Sequence, residues 1–118
     1  LEILLVDDEP GVLHALKMLL GAVGFSVTDF SVPTQAVEFL EGGGSCDLIL
    51  CDLKMPGMNG LAVLGEIQKI CPERPFVLMS GHAGPAEIEQ AKNNGAAAFL
   101  AKPFTPDDLR KTLEGIAL

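Results

Sequence analysis

Short apolar runs alternate along the chain with longer stretches in which apolar residues recur every three or four positions. Ile3-Leu4-Leu5-Val6, Leu48-Ile49-Leu50-Cys51, Phe76-Val77-Leu78-Met79 and Ala97-Ala98-Phe99-Leu100 are runs bounded by polar or breaker residues. Runs this short suit strands buried on both faces of a sheet. Phe25-Ser26-Val27-Thr28-Asp29 alternates instead, as a half-exposed strand near a sheet edge would. Between these runs, Val12, Leu13, Leu16, Leu19, Leu20 and Val23 fall on one helical face, and Gly24 is expected to end that helix. Ala36, Val37, Phe39 and Leu40 form a second such face, and Leu61, Leu64, Ile67 and Ile70 a third. The segment from Pro85 to Asn94 has few large apolar residues, Ile88 chief among them, and is expected to be loosely held. Leu109, Leu113 and Ile116 give the last helix its apolar side. Asp8 or Glu9, Asn59 and Thr105 are the expected helix caps, with Pro10 and Pro106 in first turns.

Five strand-helix alternations predict an α/β fold with a parallel sheet, right-handed crossovers and helices on both faces. Putting the alternating second strand at an edge gives the doubly wound, flavodoxin-like order 2-1-3-4-5. A chain of 118 residues fits one domain over residues 1–118. It can bury roughly 65% of its unfolded surface without disulfides. A start at Leu1 rather than Met suits a piece of something longer, with any output domain outside it. No apolar stretch has membrane-spanning length, and the first apolar run breaks at Asp7-Asp8-Glu9, unlike a secretory signal. The net charge of -8 argues against direct nucleic-acid contact, which needs clustered Lys and Arg. Cys46, Cys51 and Cys71 match no zinc or Cys-x-x-Cys spacing and are expected to be buried, reduced thiols of a cytoplasmic protein. Placed on one strand, Cys46 and Cys51 would face opposite ways. Gly42-Gly43-Gly44 follows a helix and precedes a strand, the reverse of a phosphate loop, so it is expected to be a connector.

The polar residues gain meaning from that topology. In a parallel sheet all strand C-termini share one edge, where open α/β sheets bind ligands beside the reversal of strand order. The first strand delivers Asp7 and Asp8 there, the third Asp52, the fourth Ser80 and the fifth Lys102. Singly, each has an ordinary explanation: a helix cap, a turn serine, a loop lysine. Together they form a complementary set. Three converging carboxylates call for a hard divalent cation, and Mg²⁺ needs only one or two carboxylates while leaving room for phosphate oxygens. Lys102 adds fixed positive charge and Ser80 a hydroxyl donor. Asp52 is then a candidate covalent phosphoryl acceptor.

With these motifs the chain resembles the response-regulator receiver domains of bacterial two-component signalling. The resemblance rests on Leu5-Val6-Asp7-Asp8-Glu9-Pro10, Asp52-Leu53-Lys54-Met55-Pro56-Gly57-Met58-Asn59-Gly60, Met79-Ser80-Gly81-His82 and Lys102-Pro103-Phe104, and it covers essentially the whole chain. It implies that Asp52 receives phosphate from a histidine kinase or phosphotransfer protein. It implies direct ligation of Mg²⁺ (or Mn²⁺) by Asp8 and Asp52, with Asp7 acting through water and the Lys54 backbone carbonyl completing the protein ligands. Ser80 is similar to the switch hydroxyl, Phe99 to the aromatic switch residue and Lys102 to the phosphoryl-binding lysine. A cis peptide at Lys102-Pro103 is expected on the same ground. Lys54 and His82 occupy positions that border the phosphoryl group and are expected to tune its lifetime. Ser80 stands where threonine is commoner, and Phe99 lacks the phenolic oxygen of a tyrosine.

The resemblance further implies phosphorelay signalling in the cytoplasm, with no membrane segment. Phosphorylation would change the surface of the fourth helix, fifth strand and fifth helix, to control an output domain or protein target or to form a homodimer. Such a domain is not a classical enzyme, although it takes part in its own phosphorylation and autodephosphorylation. Three other readings fit less well. A flavin- or nucleotide-binding module would present donors to phosphate in its first loop, where Asp7-Asp8-Glu9 presents negative charge. A phosphohydrolase would want an acid two residues after its nucleophile, where Lys54 stands. An interaction-only relative would not need the complete acceptor set.

Overall fold

The computed structural model describes residues 1–116; Ala117 and Leu118 lie outside the described residues. Strands and helices alternate throughout: β1 (Glu2–Val6), α1 (Pro10–Ala22), β2 (Ser26–Phe30), α2 (Pro33–Glu41), β3 (Leu48–Asp52), α3 (Gly60–Ile70), β4 (Phe76–Ser80), α4 (Pro85–Asn93), β5 (Ala98–Ala101) and α5 (Pro106–Glu114). The sheet order is β2-β1-β3-β4-β5 and every pairing is parallel. This is the α/β order that the apolar pattern predicts.

The two-residue period of the strands sorts the core into two layers. Ile3, Leu5, Leu48, Leu50, Val77, Met79 and Leu100 pack with Leu13, Leu16 and Leu20 of α1 and Leu109 of α5. Leu4, Val6, Ile49, Cys51, Phe76 and Leu78 face the other way, against α2 and α3. Fully burying one such leucine or isoleucine stabilises the fold by about 2 kcal/mol. All residues of β3 and β4 are buried, as continuous apolar runs require, whereas β2 is half-exposed at its edge. Of the α4 residues only Ala91 is buried, so this helix is weakly anchored as expected.

Three local details differ from the pattern-based reading. Strand β2 begins at Ser26 because the Phe25 N–H donates to the Leu20 carbonyl, closing the turn that Gly24 makes at φ 98°. Glu9 occupies the cap position of α1 without a side-chain bond, and Asp7 Oδ1 instead accepts the Glu9 N–H at 3.0 Å. Cys46 precedes β3 rather than lying on it, so strand parity does not apply, and it packs in the same cluster as Cys51. Cys46 and Cys51 are buried free thiols, and Cys71 is partly exposed. The Asn59 and Thr105 caps form as expected, accepting the N–H groups of Ala62 and Asp108. Among the described residues no helix is long and apolar enough to cross a membrane.

Candidate functional site

The C-terminal edge of the sheet collects the polar residues that the core cannot hold. Asp7 follows β1 and is wholly buried, while Asp52 and Ser80 end β3 and β4 at 4% exposure. Asp7, Asp8 and Asp52 each offer a carboxylate oxygen, and these three atoms lie within 4.8 Å of one another. Lys102 enters from the loop after β5. Its Nζ lies 3.0 Å from Asp7 Oδ2 and 3.1 Å from Asp52 Oδ1. Its backbone N–H donates to the Ser80 carbonyl at 2.9 Å, and the following Lys102-Pro103 peptide is cis, as expected. The loop is thus tied to the end of β4, which aims the lysine across the sheet edge.

Three carboxylates against one ammonium leave an excess of two negative charges when all are ionised. Burial pushes the Asp52 carboxyl above its ordinary value of 3.8; Asp7 and Asp8 push the same way, and Lys102 opposes them. For Lys102, burial alone would lower the pKa, but hydrogen bonds to Asp7 and Asp52 and their charges outweigh it and hold the amine above 10.5. Lys102 therefore stays charged at neutral pH. Asp8 Oδ1 is buried without a hydrogen-bond partner. A buried carboxylate oxygen with no partner is costly unless a cation takes it up. The charge excess, the oxygen donors and the orphaned Asp8 atom all fit a hard divalent ion such as Mg²⁺.

The Ser80 hydroxyl accepts the His82 N–H at 3.1 Å. A hydroxyl that accepts one bond still has its O–H to donate. Phe99, half-buried on β5, borders a cavity of about 510 Å³ between α4 and β5, together with Ser80, Ala83 and Ile88. His82 is exposed. The Lys54 side chain is 55% exposed, and its Nζ lies 3.7 Å from Glu87 Oε1 on α4. The structure therefore brings Asp7, Asp8, Asp52 and Lys102 together, with Ser80 beside them, and leaves Lys54 paired with a residue that the sequence did not single out.

Gly60 is a second residue that the sequence reading missed. A methyl group there would come within 2.5 Å of the Asp52 carbonyl oxygen and 2.6 Å of Leu78 Cδ2. Its N–H donates to the Leu53 carbonyl at 2.8 Å, and the Leu53 N–H donates to the Met79 carbonyl at 2.8 Å. The start of α3 thus fits directly against the residue that presents Asp52. The Asn59-Gly60 pair was visible in sequence, but only as a cap.

The residue pattern of the response regulator receiver domain matches residues 3–114. The chain belongs to this family. This receiver domain is 35% identical over 107 residues to the C4-dicarboxylate transport transcriptional regulatory protein DctD of Rhizobium meliloti, covering 91% of this chain and 23% of that protein. It is 33% identical over 103 residues to the DNA-binding transcriptional regulator NtrC of Escherichia coli, covering 87% of this chain and 22% of that one. The chain thus spans under a quarter of the length of these two regulators. A crystal structure of a response regulator receiver domain protein from Clostridium thermocellum superposes with a TM-score of 0.88 at 34% identity, covering 96% of this receiver domain and 90% of that chain. Membership of the family makes this a signalling domain of the two-component type.

Proposed function

We propose that Asp52 accepts a phosphoryl group from the phosphohistidine of a histidine kinase or phosphotransfer protein. The observation that carries this reading is the cluster itself: Asp7, Asp8 and Asp52 within 4.8 Å, with the Lys102 amine on Asp7 and Asp52. In the transfer, a carboxylate oxygen of Asp52 bonds to phosphorus as the P–N bond breaks. The imidazole nitrogen keeps the electron pair. Asp8, Asp52 and the Lys54 backbone carbonyl would hold Mg²⁺ or Mn²⁺ directly, and Asp7 through water. A bound divalent cation supplies neutralising charge to the carboxylates and to the transferred group.

The chain's own residues do the rest. Lys102, kept charged by Asp7 and Asp52, pairs with a phosphoryl oxygen on the acyl phosphate. Ser80 donates its O–H to another oxygen. Because Ser80 Oγ also accepts the His82 N–H, its movement draws the Gly81-His82 loop along. Phe99 then fills the space that the loop vacates, and α4, held by little buried surface, shifts. The phosphoryl group favours one of two states of the α4-β5-α5 surface. That surface controls an output domain or protein target beyond this single receiver domain, or joins two copies. Lys54 and His82, two residues after Asp52 and Ser80, set the lifetime of the acyl phosphate. The domain acts in the cytoplasm and takes part in its own phosphorylation and autodephosphorylation without being a classical enzyme.

Incubation with acetyl phosphate and Mg²⁺ tests this by intact mass. Wild type gains one phosphoryl group, and Asp52→Asn gains none. Equal gain by both proteins would refute the assignment.

A further inference from the structure

The start of α4 is joined to the phosphoacceptor loop through one carboxylate. Gly84, at the N-cap, has no side chain with which to cap the helix. Glu87 Oε1 accepts the Gly84 N–H at 3.3 Å, which is the half of a capping box that a glycine allows. The same Oε1 lies 3.7 Å from Lys54 Nζ. Lys54 stands two residues beyond Asp52. An open cleft of about 460 Å³, bounded by Leu53, Lys54, Met55, Pro56 and Glu87, separates the two elements. The Lys54 side chain is thus bordered by open space and is 55% exposed. Elsewhere α4 is weakly tied, with Ala91 its only buried residue.

We propose that Glu87 is a positioning residue that competes with the phosphoryl group of Asp52 for Lys54, and so couples phosphorylation to the first turn of α4. The proposal rests on the reading of Asp52 as phosphoacceptor. A phosphoryl group carries close to two negative charges and three acceptor oxygens, against the single charge of Glu87. Lys54 has a long, flexible stem and a point charge, so it can turn from one to the other. When it does, Glu87 loses its counter-ion while a larger negative charge appears nearby. Repulsion then moves Glu87 outward and weakens its bond to the Gly84 N–H. The resting ion pair does the opposite on both counts: it holds Lys54 off the site and the helix start in place.

A double-mutant cycle tests this, with beryllofluoride and Mg²⁺ standing in for the phosphoryl group. Glu87→Gln removes the charge but keeps an oxygen for the Gly84 N–H, so the helix cap survives. In the full chain it should tighten beryllofluoride binding, followed by fluorine NMR, about two- to five-fold, the range that an exposed ion pair sustains. The gain should shrink at 1 M salt, where screening acts over about 3 Å. In a Lys54→Ala background Glu87→Gln should change nothing. In wild type, beryllofluoride should speed hydrogen exchange of the Gly84 amide, and in Lys54→Ala it should do so less. Wild type that binds beryllofluoride with no Glu87→Gln effect, or with the same effect in both backgrounds, overturns the proposal alone. Wild type that neither binds beryllofluoride nor takes a phosphoryl group at Asp52 overturns the phosphoacceptor reading and the proposal with it.

Discussion

The two sides of the site are built differently. On the β3 side, Asp52 ends a fully buried strand, Leu53 is bonded to β4, and Gly60 leaves no room for a methyl group. On the α4 side, one residue of the helix is buried, its cap residue lacks a side chain, and its link to the site is a half-exposed ion pair. The rigid side fixes where the carboxylates converge, which the proposed transfer to Asp52 requires. The loose side can move at small cost, because elements that respond to a ligand are drawn from the least stable parts of a fold. On the proposed function, chemistry and response fall on opposite flanks of one sheet edge.

Matched substitutions on the two flanks should expose that difference. Gly60→Ala drives a methyl group into the Asp52 carbonyl and Leu78, and should cost about 2–3 kcal/mol in urea unfolding. Gly84→Ala meets nothing within 4 Å and should cost under about 1 kcal/mol, the scale of an N-cap change. Equal costs would mean that the flanks are not held differently.

A smaller effect sharpens the electrostatic half of the comparison. The folded-state pKa of Asp52 lies above its ordinary 3.8, so the unfolded chain releases this proton more readily. The contribution of Asp52 to stability is therefore fully present below pH about 3.8 and lost as the pH rises through the raised folded value. Without divalent cations at neutral pH, Asp52→Asn should stabilise the fold, because it removes a buried charge crowded by Asp7 and Asp8. That advantage should vanish in acid, as thermal unfolding across pH would show. Mg²⁺ should narrow the gap by stabilising wild type more than the variant. A destabilised Asp52→Asn at neutral pH would show that the Lys102 pair outweighs the crowding of carboxylates.

How much of this was legible in the chain depended on distance along it. The fold was, because periods of two and of three to four residues separate strands from helices, and continuous runs separate β3 and β4 from the edge strand β2. The convergence of Asp7, Asp8, Asp52, Ser80 and Lys102 was legible through topology, since parallel strands bring their ends to one edge. The cap of α1 was misread because Asp7 turns back to the Glu9 N–H, while Glu9 itself makes no capping bond. Gly60 and Glu87 were not legible. One depends on how closely α3 approaches β3 and the other on where α4 comes to rest, and neither tertiary distance leaves a mark in local pattern.

The central claim is that the acyl phosphate forms on Asp52 and nowhere else. Borohydride reduces an acyl phosphate to an alcohol and leaves free carboxylates intact. Reduction of the phosphorylated protein followed by peptide mapping should place the alcohol at position 52 alone. Reduction at Asp7 or Asp8, or an unmodified Asp52 in protein that carries a phosphoryl group, would contradict the claim.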